Sequence, residues 1–299
     1  MEIFIRKQYN ALVDFLGSLV KSNISFKSAG EKIEVFIKSL TKNNFIEIVK
    51  EIGTIPEAIE ASSTEEKLYS KASDIVLARC FNELGLKSKA TTERGNSADI
   101  IAESEHGYTL VADSKTFRLS RTAKNQKDFK ISALSKWRGM EHEFAVLVAP
   151  YFQYPNISSQ IYSSALSDKV CLLSWEHMLF LLNNKVVEDI SLSLEQIWNA
   201  PTRIERDSRI AYADRMNVLF PYIDRMVCDR ISVDIGEFEK QLEVCKGYIV
   251  KRSVNEISIL KSEIEDIKTY TKEKAIEELI KSKKLNERIS KIESYKNSL

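Results

Sequence analysis

The chain has 299 residues, 43% hydrophobic and 29% charged, with only nine Gly and five Pro, which excludes a largely disordered or linker-rich protein. Its 44 basic residues nearly cancel 43 acidic ones, so the net charge of +1 says nothing about partners. Charge distribution says more: Asp113 to Arg138 holds eight Lys or Arg against two Asp, a local excess of +6.

Residues 8–60 read as helices, with apolar residues at helical spacing in YNALVDFLGSLV, EKIEVFIKSL and FIEIVKEI. Pro56 breaks the last of these. A new helix is expected from an N-cap among Ser62, Ser63 and Thr64 to about Leu84, where Gly85 stops it. ADIIAE and YTLVADSKTF read as the two strands of a hairpin around EHG. A basic segment follows, then a helix around ISALSKWRGM. FAVLVAP and VCLLS are apolar runs suited to central strands, and WEHMLFLLN reads as a helix. This order predicts an α/β core with a mixed central sheet flanked by helices, plus helical N- and C-terminal regions. The organisation expected is one domain over 1–299, with a helical region at 1–60, a core at 61–200 and a helical region at 201–299. In the last 65 residues Ile257, Leu260, Ile264 and Ile267 follow 3-4-3 spacing. A seam that short is read as an amphipathic helix packed on its own domain rather than as a coiled coil.

Cysteines 80, 171, 228 and 245 form no CxxC pair and no zinc-ligand spacing, which suits reduced thiols in a cytosolic protein. His106, His142 and His177 are scattered. MEIFIRKQYN lacks the apolar region of a signal peptide, and FAVLVAPYF is too short to span a membrane. A soluble cytoplasmic protein is expected.

The chemistry centres on the second hairpin strand. Side chains alternate along a strand, so Asp113 and Lys115 share one face while Ser114 points to the other. Asp99 lies on the partner strand and can approach Asp113 across the ladder. Two carboxylates brought together repel unless a cation holds them. Oxygen-only ligands suit a hard cation, above all Mg²⁺, with the Ser114 carbonyl as a third ligand. Lys115 would then face the attacking water and the phosphate. Glu65 and Glu66 stand early on the preceding helix. A first-turn glutamate favoured by the helix dipole is the plain reading of both.

Lys115, Arg118, Arg121, Lys124, Lys127 and Lys130 recur at every third position beyond the strand. Such a stripe drifts around a helix and suits a segment that follows a DNA backbone. Asn125, Gln126 and Asp128 sit between the cations and carry groups that can read base edges. A solvated helix face is the ordinary meaning of such a run.

An acid, a gap, then acid-x-Lys is the pattern of the PD-(D/E)xK nucleases. ADSKTFRLSRTAKNQKDFK resembles the active-site segment of the HindIII-type type II restriction endonucleases. So do IPEAIEASSTEEKLYSKASDIVLA, ERGNSADIIA, YFQYP and LLSWEH, in the family's order, across roughly residues 45–200. The resemblance implies a PD-(D/E)xK core and Mg²⁺-dependent hydrolysis of double-stranded DNA within AAGCTT, leaving 5′ overhangs. It implies a homodimer, since a palindrome is read by two symmetric subunits. It also implies a cognate DNA methyltransferase that is not a stable subunit. The family's catalytic residues carry over to Asp99, Asp113 and Lys115. Nucleases of this superfamily often carry a glutamate on a helix before the first catalytic strand, so the resemblance makes Glu66 a further candidate catalytic residue, with Glu65 as its alternative. Ala98 stands where the superfamily usually has Pro, and Asp113 where Glu is commoner; both also hold in the HindIII-like group. The alternative is a sequence-specific DNA-binding protein without catalysis, which has no use for Asp99 and Asp113. An interaction protein built on the C-terminal helices is a third reading.

Overall fold

The computed structural model describes residues 6–91, 97–121, 126–156 and 159–297. It divides into two compact units, Met1–Ile249 and Val250–Leu299. The first unit opens with α1 (Lys7–Lys21), α2 (Phe26–Ser39) and α3 (Lys42–Glu51). Ser25 and Thr41 cap the second and third through their hydroxyls, and each helix buries one apolar face. Helix α4 (Thr64–Glu83) differs, because it is buried almost all round from Leu68 to Phe81. It packs against α1, α2 and the sheet.

The sheet has five strands in the order β1 (Lys87–Ala90), β2 (Ile100–Glu103), β3 (Thr109–Ser114), β4 (Phe144–Ala149), β5 (Val170–Ser174). Strands β1 to β3 pair antiparallel, and β3 to β5 pair parallel. The parallel strands are buried on both faces, as their unbroken apolar sequences require. Strand β1, KSKA, is an edge strand that alternates exposed and half-buried side chains. Its lysines suit an edge that resists pairing with other chains, and nothing in its composition marks it as a strand.

Between β3 and β4 lie α5 (Gln126–Phe129) and α6 (Ile131–Arg138), and α7 (Gln160–Ser167) precedes β5. Helices α6 and α7 rest on the parallel strands. Then follow α8 (Trp175–Asn183), α9 (Glu195–Trp198), α10 (Ala200–Arg206), α11 (Arg215–Arg230) and α12 (Ile235–Lys268). Gly85 ends α4 at φ +93°, and a Cβ there would meet the Glu188 carbonyl oxygen at 2.5 Å. The turn therefore needs both the left-handed conformation and the missing side chain.

The second unit holds the later part of α12, then α13 (Lys272–Ser282), capped by Thr271, and α14 (Leu285–Asn297). Ile257, Leu260, Ile264 and Ile267 are 51%, 38%, 53% and 49% exposed. The expectation of a packed apolar face is therefore corrected: among the described residues these four side chains are exposed rather than buried. All four cysteines are free and buried. No helix among the described residues is long and apolar enough to cross a membrane.

Candidate active site

The antiparallel register sets Ile100 opposite Ala112. One residue further along the same ladder, Asp99 comes opposite Asp113, as the hairpin reading requires. A third carboxylate reaches the same point from α4. Carboxylate oxygens of Asp74, Asp99 and Asp113 all lie within 4.8 Å of one another. Asp74 and Asp113 are buried, and Asp99 is half-buried. The Ser114 hydroxyl donates to Asp74 Oδ1 at 2.7 Å, and the Ser73 hydroxyl lies 2.7 Å from that of Ser114. The two serines thus fix the rotamer of Asp74. Thr91 holds the Asp99 end: its N–H donates to the Asp99 carbonyl and its hydroxyl to the Ala98 carbonyl, both at 2.8 Å.

Lys115 donates from Nζ to Asp113 Oδ2. Its backbone is held on both sides. The N–H donates to the Val148 carbonyl at 2.7 Å, and the Trp175 indole N–H donates to its carbonyl at 3.1 Å. Gly53 permits that arrangement, since a Cβ at this position would come within 2.7 Å of Trp175 Cδ1. The chain at Gly53–Ile55 then pairs with Phe117, so the segment leaving β3 is tied down for its first three residues.

These groups line a cleft of about 590 Å³. Five lysines stand around the carboxylates: Lys27 from α2, Lys67 and Lys71 from α4, then Lys115 and Lys130. Burial, reinforced by the charges of Asp99 and Asp113, pushes the Asp74 carboxyl from 3.8 up to about 8. Burial also raises Asp113, against the pull of Lys115. The cluster therefore holds more negative charge than the apolar surroundings favour. A proton or a cation relieves it. Three oxygen donors with no imidazole or thiolate among them are the donor set of a hard divalent ion.

The other sequence candidates lie as follows. Ser114 lines the cleft. Glu66 stands outside the carboxylate cluster and closes the start of α4 instead. Its N–H donates to Ser63 Oγ at 3.1 Å, and its carboxylate accepts from the Ser62 N–H at 2.6 Å. It also receives Arg118 Nη2 at 2.7 Å. Glu65 faces Gly17 of α1. Arg118 donates in addition to the Pro56 carbonyl at 2.8 Å, and its side chain is only 14% exposed. In this structure it ties the loop to α4. Arg121 pairs with Asp128 and lies over the Phe117 ring. Lys127 is exposed, and Lys130 reaches the cleft from a left-handed backbone at φ +49°. Lys124 and Asn125 fall outside the described residues.

Sequence reasoning missed Asp74 and the lysines of α2 and α4. A signal was present: Lys67, Ser70, Lys71 and Asp74 recur at helical spacing and form one polar stripe on an otherwise buried helix. A chain of Ser174, His177 and Asp224 also emerges, with His177 Nε2 2.8 Å from Asp224 Oδ1. The Ser174 N–H donates to His177 Nδ1, so the ring proton sits on Nε2 and faces Asp224. Ser174 and His177 are fully buried, so this chain fastens β5 and α8 to α11 and supplies no nucleophile.

Carboxylates and a lysine at the ends of β2 and β3, joined by an acid from the preceding helix, define the site. A family profile described as HindIII restriction endonuclease matches residues 20–296. The chain belongs to the HindIII restriction endonuclease family. The type II restriction enzyme HindIII of Haemophilus influenzae is 44% identical to it over 275 residues, covering 92% of this chain and 91% of that protein. Membership makes the chain a type II restriction endonuclease, a nuclease of the hydrolase class. The similarity extends well beyond the 45–200 stretch in which the sequence motifs lie.

Proposed function

We propose that this enzyme hydrolyses double-stranded DNA at the palindrome AAGCTT in a Mg²⁺-dependent reaction, leaving 5′ overhangs. The observation that carries the catalytic part is the meeting of Asp74, Asp99 and Asp113 beside Lys115 in a lysine-walled cleft. The target sequence and the overhang rest on likeness to HindIII, including the segment from Lys124 to Asp128 quoted above.

In this reading Asp99 and Asp113 hold the ion, with Asp74 completing the set and the Ser114 carbonyl as a further donor. Bound there, Mg²⁺ supplies positive charge at the scissile phosphate and makes water easier to ionise. Lys115 orients the attacking water and offsets charge that builds on the phosphorus oxygens. Its fixed backbone matters because this chemistry depends chiefly on positioning and charge neutralisation. Lys27, Lys67, Lys71 and Lys130 neutralise phosphates on either side of the cut. Arg121, Lys124, Lys127 and Lys130 contribute along the basic segment, and Asn125 and Asp128 read base edges. Glu66 and Arg118 support the cleft from the outside. Water attacks directly, with no covalent enzyme intermediate.

A palindromic target calls for a homodimer with two such clefts related by a two-fold axis. The enzyme works in the cytoplasm, within a restriction-modification system whose methyltransferase protects host sites. The test is cleavage of plasmid DNA bearing one AAGCTT site, in Mg²⁺ and in EDTA, with the ends sequenced. Mg²⁺-dependent linearisation at that site is expected. Linearisation elsewhere would refute the target, and binding without cleavage would favour the non-catalytic reading.

A further inference from the structure

The chain that follows α3 runs beside the chain that leaves β3, and it is firmly held. Tyr69 Oη lies 3.1 and 2.7 Å from the Ile52 and Thr54 carbonyl oxygens, and Tyr9 Oη lies 2.9 Å from the latter. Ile55, Pro56 and Ile59 are buried. The two chains proceed in step: Thr54 bridges to Phe117, the Pro56 carbonyl accepts from Arg118, and the Glu57 carboxylate accepts from Ser120.

The last of these contacts is bidentate. Glu57 Oε1 accepts from the Ser120 backbone N–H at 2.9 Å, and Oε2 accepts from the Ser120 hydroxyl at 2.8 Å. Two charge-assisted bonds from one carboxylate to one residue fix the main chain there in direction as well as in distance. Glu66, by contrast, holds this loop through the Arg118 side chain. Ser120 stands where the loop gives way to the rest of the basic segment. The far end of that segment is anchored too. Phe129 is fully buried, with the ring centroids of Phe117 and Tyr154 each 5.4 Å away. Between the two anchors in sequence stand Asn125 and Asp128, the base readers proposed above. Glu57 is half-buried and Ser120 is exposed, so their contact adds little to the core. What it adds is placement.

We infer that Glu57 is a positioning residue for sequence discrimination: it clamps Ser120 and so sets where the basic segment meets the bases relative to Lys115. The inference rests on the reading that this segment contacts bases. Base-edge hydrogen bonds need aligned donors at about 3 Å, whereas attraction between a lysine and a phosphate falls off slowly with distance. A segment released at one anchor therefore loses the contacts that distinguish the correct site more than it loses general affinity for DNA.

The test compares cleavage of the preferred site with cleavage of its single-base neighbours, using the full-length enzyme. The preferred site is taken from cut ends of a plasmid library, so the test does not depend on AAGCTT. The readout is the ratio of kcat/KM between the two. Glu57→Ala is expected to lower this ratio about tenfold or more, the size of one lost base contact. Its melting midpoint is expected to stay within about 3 °C of wild type. Ser120→Ala keeps its N–H and is expected to fall between the two. Glu57→Gln can accept from the Ser120 N–H and donate to its hydroxyl, and is expected to restore most of the ratio. A ratio for Glu57→Ala within about twofold of wild type would overturn the clamp. So would an equal fall in rate at every site, or a Gln variant as poor as the Ala one. Asn125→Ala separates the clamp from the reading beneath it. A lowered ratio in Glu57→Ala with an unchanged one in Asn125→Ala would support the clamp and refute Asn125 as a reader. The reverse would overturn the clamp and keep the reader.

Discussion

Replacing Asp74 by Asn removes a charge while keeping the shape and an oxygen that can accept from Ser114. The carboxyl of Asp74 is raised from 3.8 to about 8, chiefly by burial and then by Asp99 and Asp113. A raised folded-state pKa means that the folded protein holds a proton which the unfolded chain has released. Stability from this group is complete below pH about 4 and falls as pH rises toward 8. At about 1.4 kcal/mol per pH unit, that span costs on the order of 5 kcal/mol by pH 8. In EDTA at pH 8 the Asn variant is therefore expected to be the more stable protein. Even half of that difference moves the melting midpoint by roughly 5 °C. The same variant gains little from added Mg²⁺, and its cleavage rate falls by about 100-fold or more. Thermal melts from pH 5 to 8, in EDTA and in Mg²⁺, check the first two points, and single-turnover cleavage checks the third. A variant that melts below wild type at pH 8 in EDTA would refute the reasoning, because Asp74 would then be a net stabiliser without metal.

Glu66→Gln is expected to cost about 1–2 kcal/mol, read by urea unfolding, through loss of the Arg118 pair and a weaker cap, with cleavage within about threefold of wild type. A loss above about 100-fold in folded protein would return Glu66 to the reacting groups. Gly53→Ala forces Trp175 from its place and loosens the Lys115 backbone. It is expected to cost about 1–3 kcal/mol of stability and to lower the single-turnover rate more than DNA affinity. Lys71→Met is expected to weaken binding to duplexes of any sequence and to reduce the salt dependence of that binding by about one counterion.

The sequence revealed those parts of the fold that apolar residues mark. Strands β2 to β5 and helices α1 to α4 stand where their patterns put them, because each buries a face that local composition declares. Strand β1 was invisible, since an edge strand of four residues with two lysines has no such signature. Within the candidate site, the meeting of Asp99 and Asp113 beside Lys115 was legible because strand alternation and hairpin register are local rules. Asp74 was not. Whether a helical acid reaches the cluster depends on how α4 crosses the sheet, and Glu66 is eight residues, or about 12 Å, back along the same helix. Arg118 and Arg121 read as DNA ligands, and a charge run alone could not show that they also have partners within the chain. The structure supplies Glu66 and Asp128 for them. The stripe on α12 was legible as a pattern, but its exposure depended on which neighbours the chain placed beside it.

The central claim is that the clustered carboxylates cut DNA by holding a divalent ion. Single-turnover cleavage of an AAGCTT duplex in Mg²⁺, by wild type and by Asp113→Asn, tests it most directly, with binding measured separately in Ca²⁺. The account predicts that the variant binds the duplex as wild type does and cuts at least about 1,000-fold more slowly. Cleavage within tenfold of wild type at equal binding would contradict it.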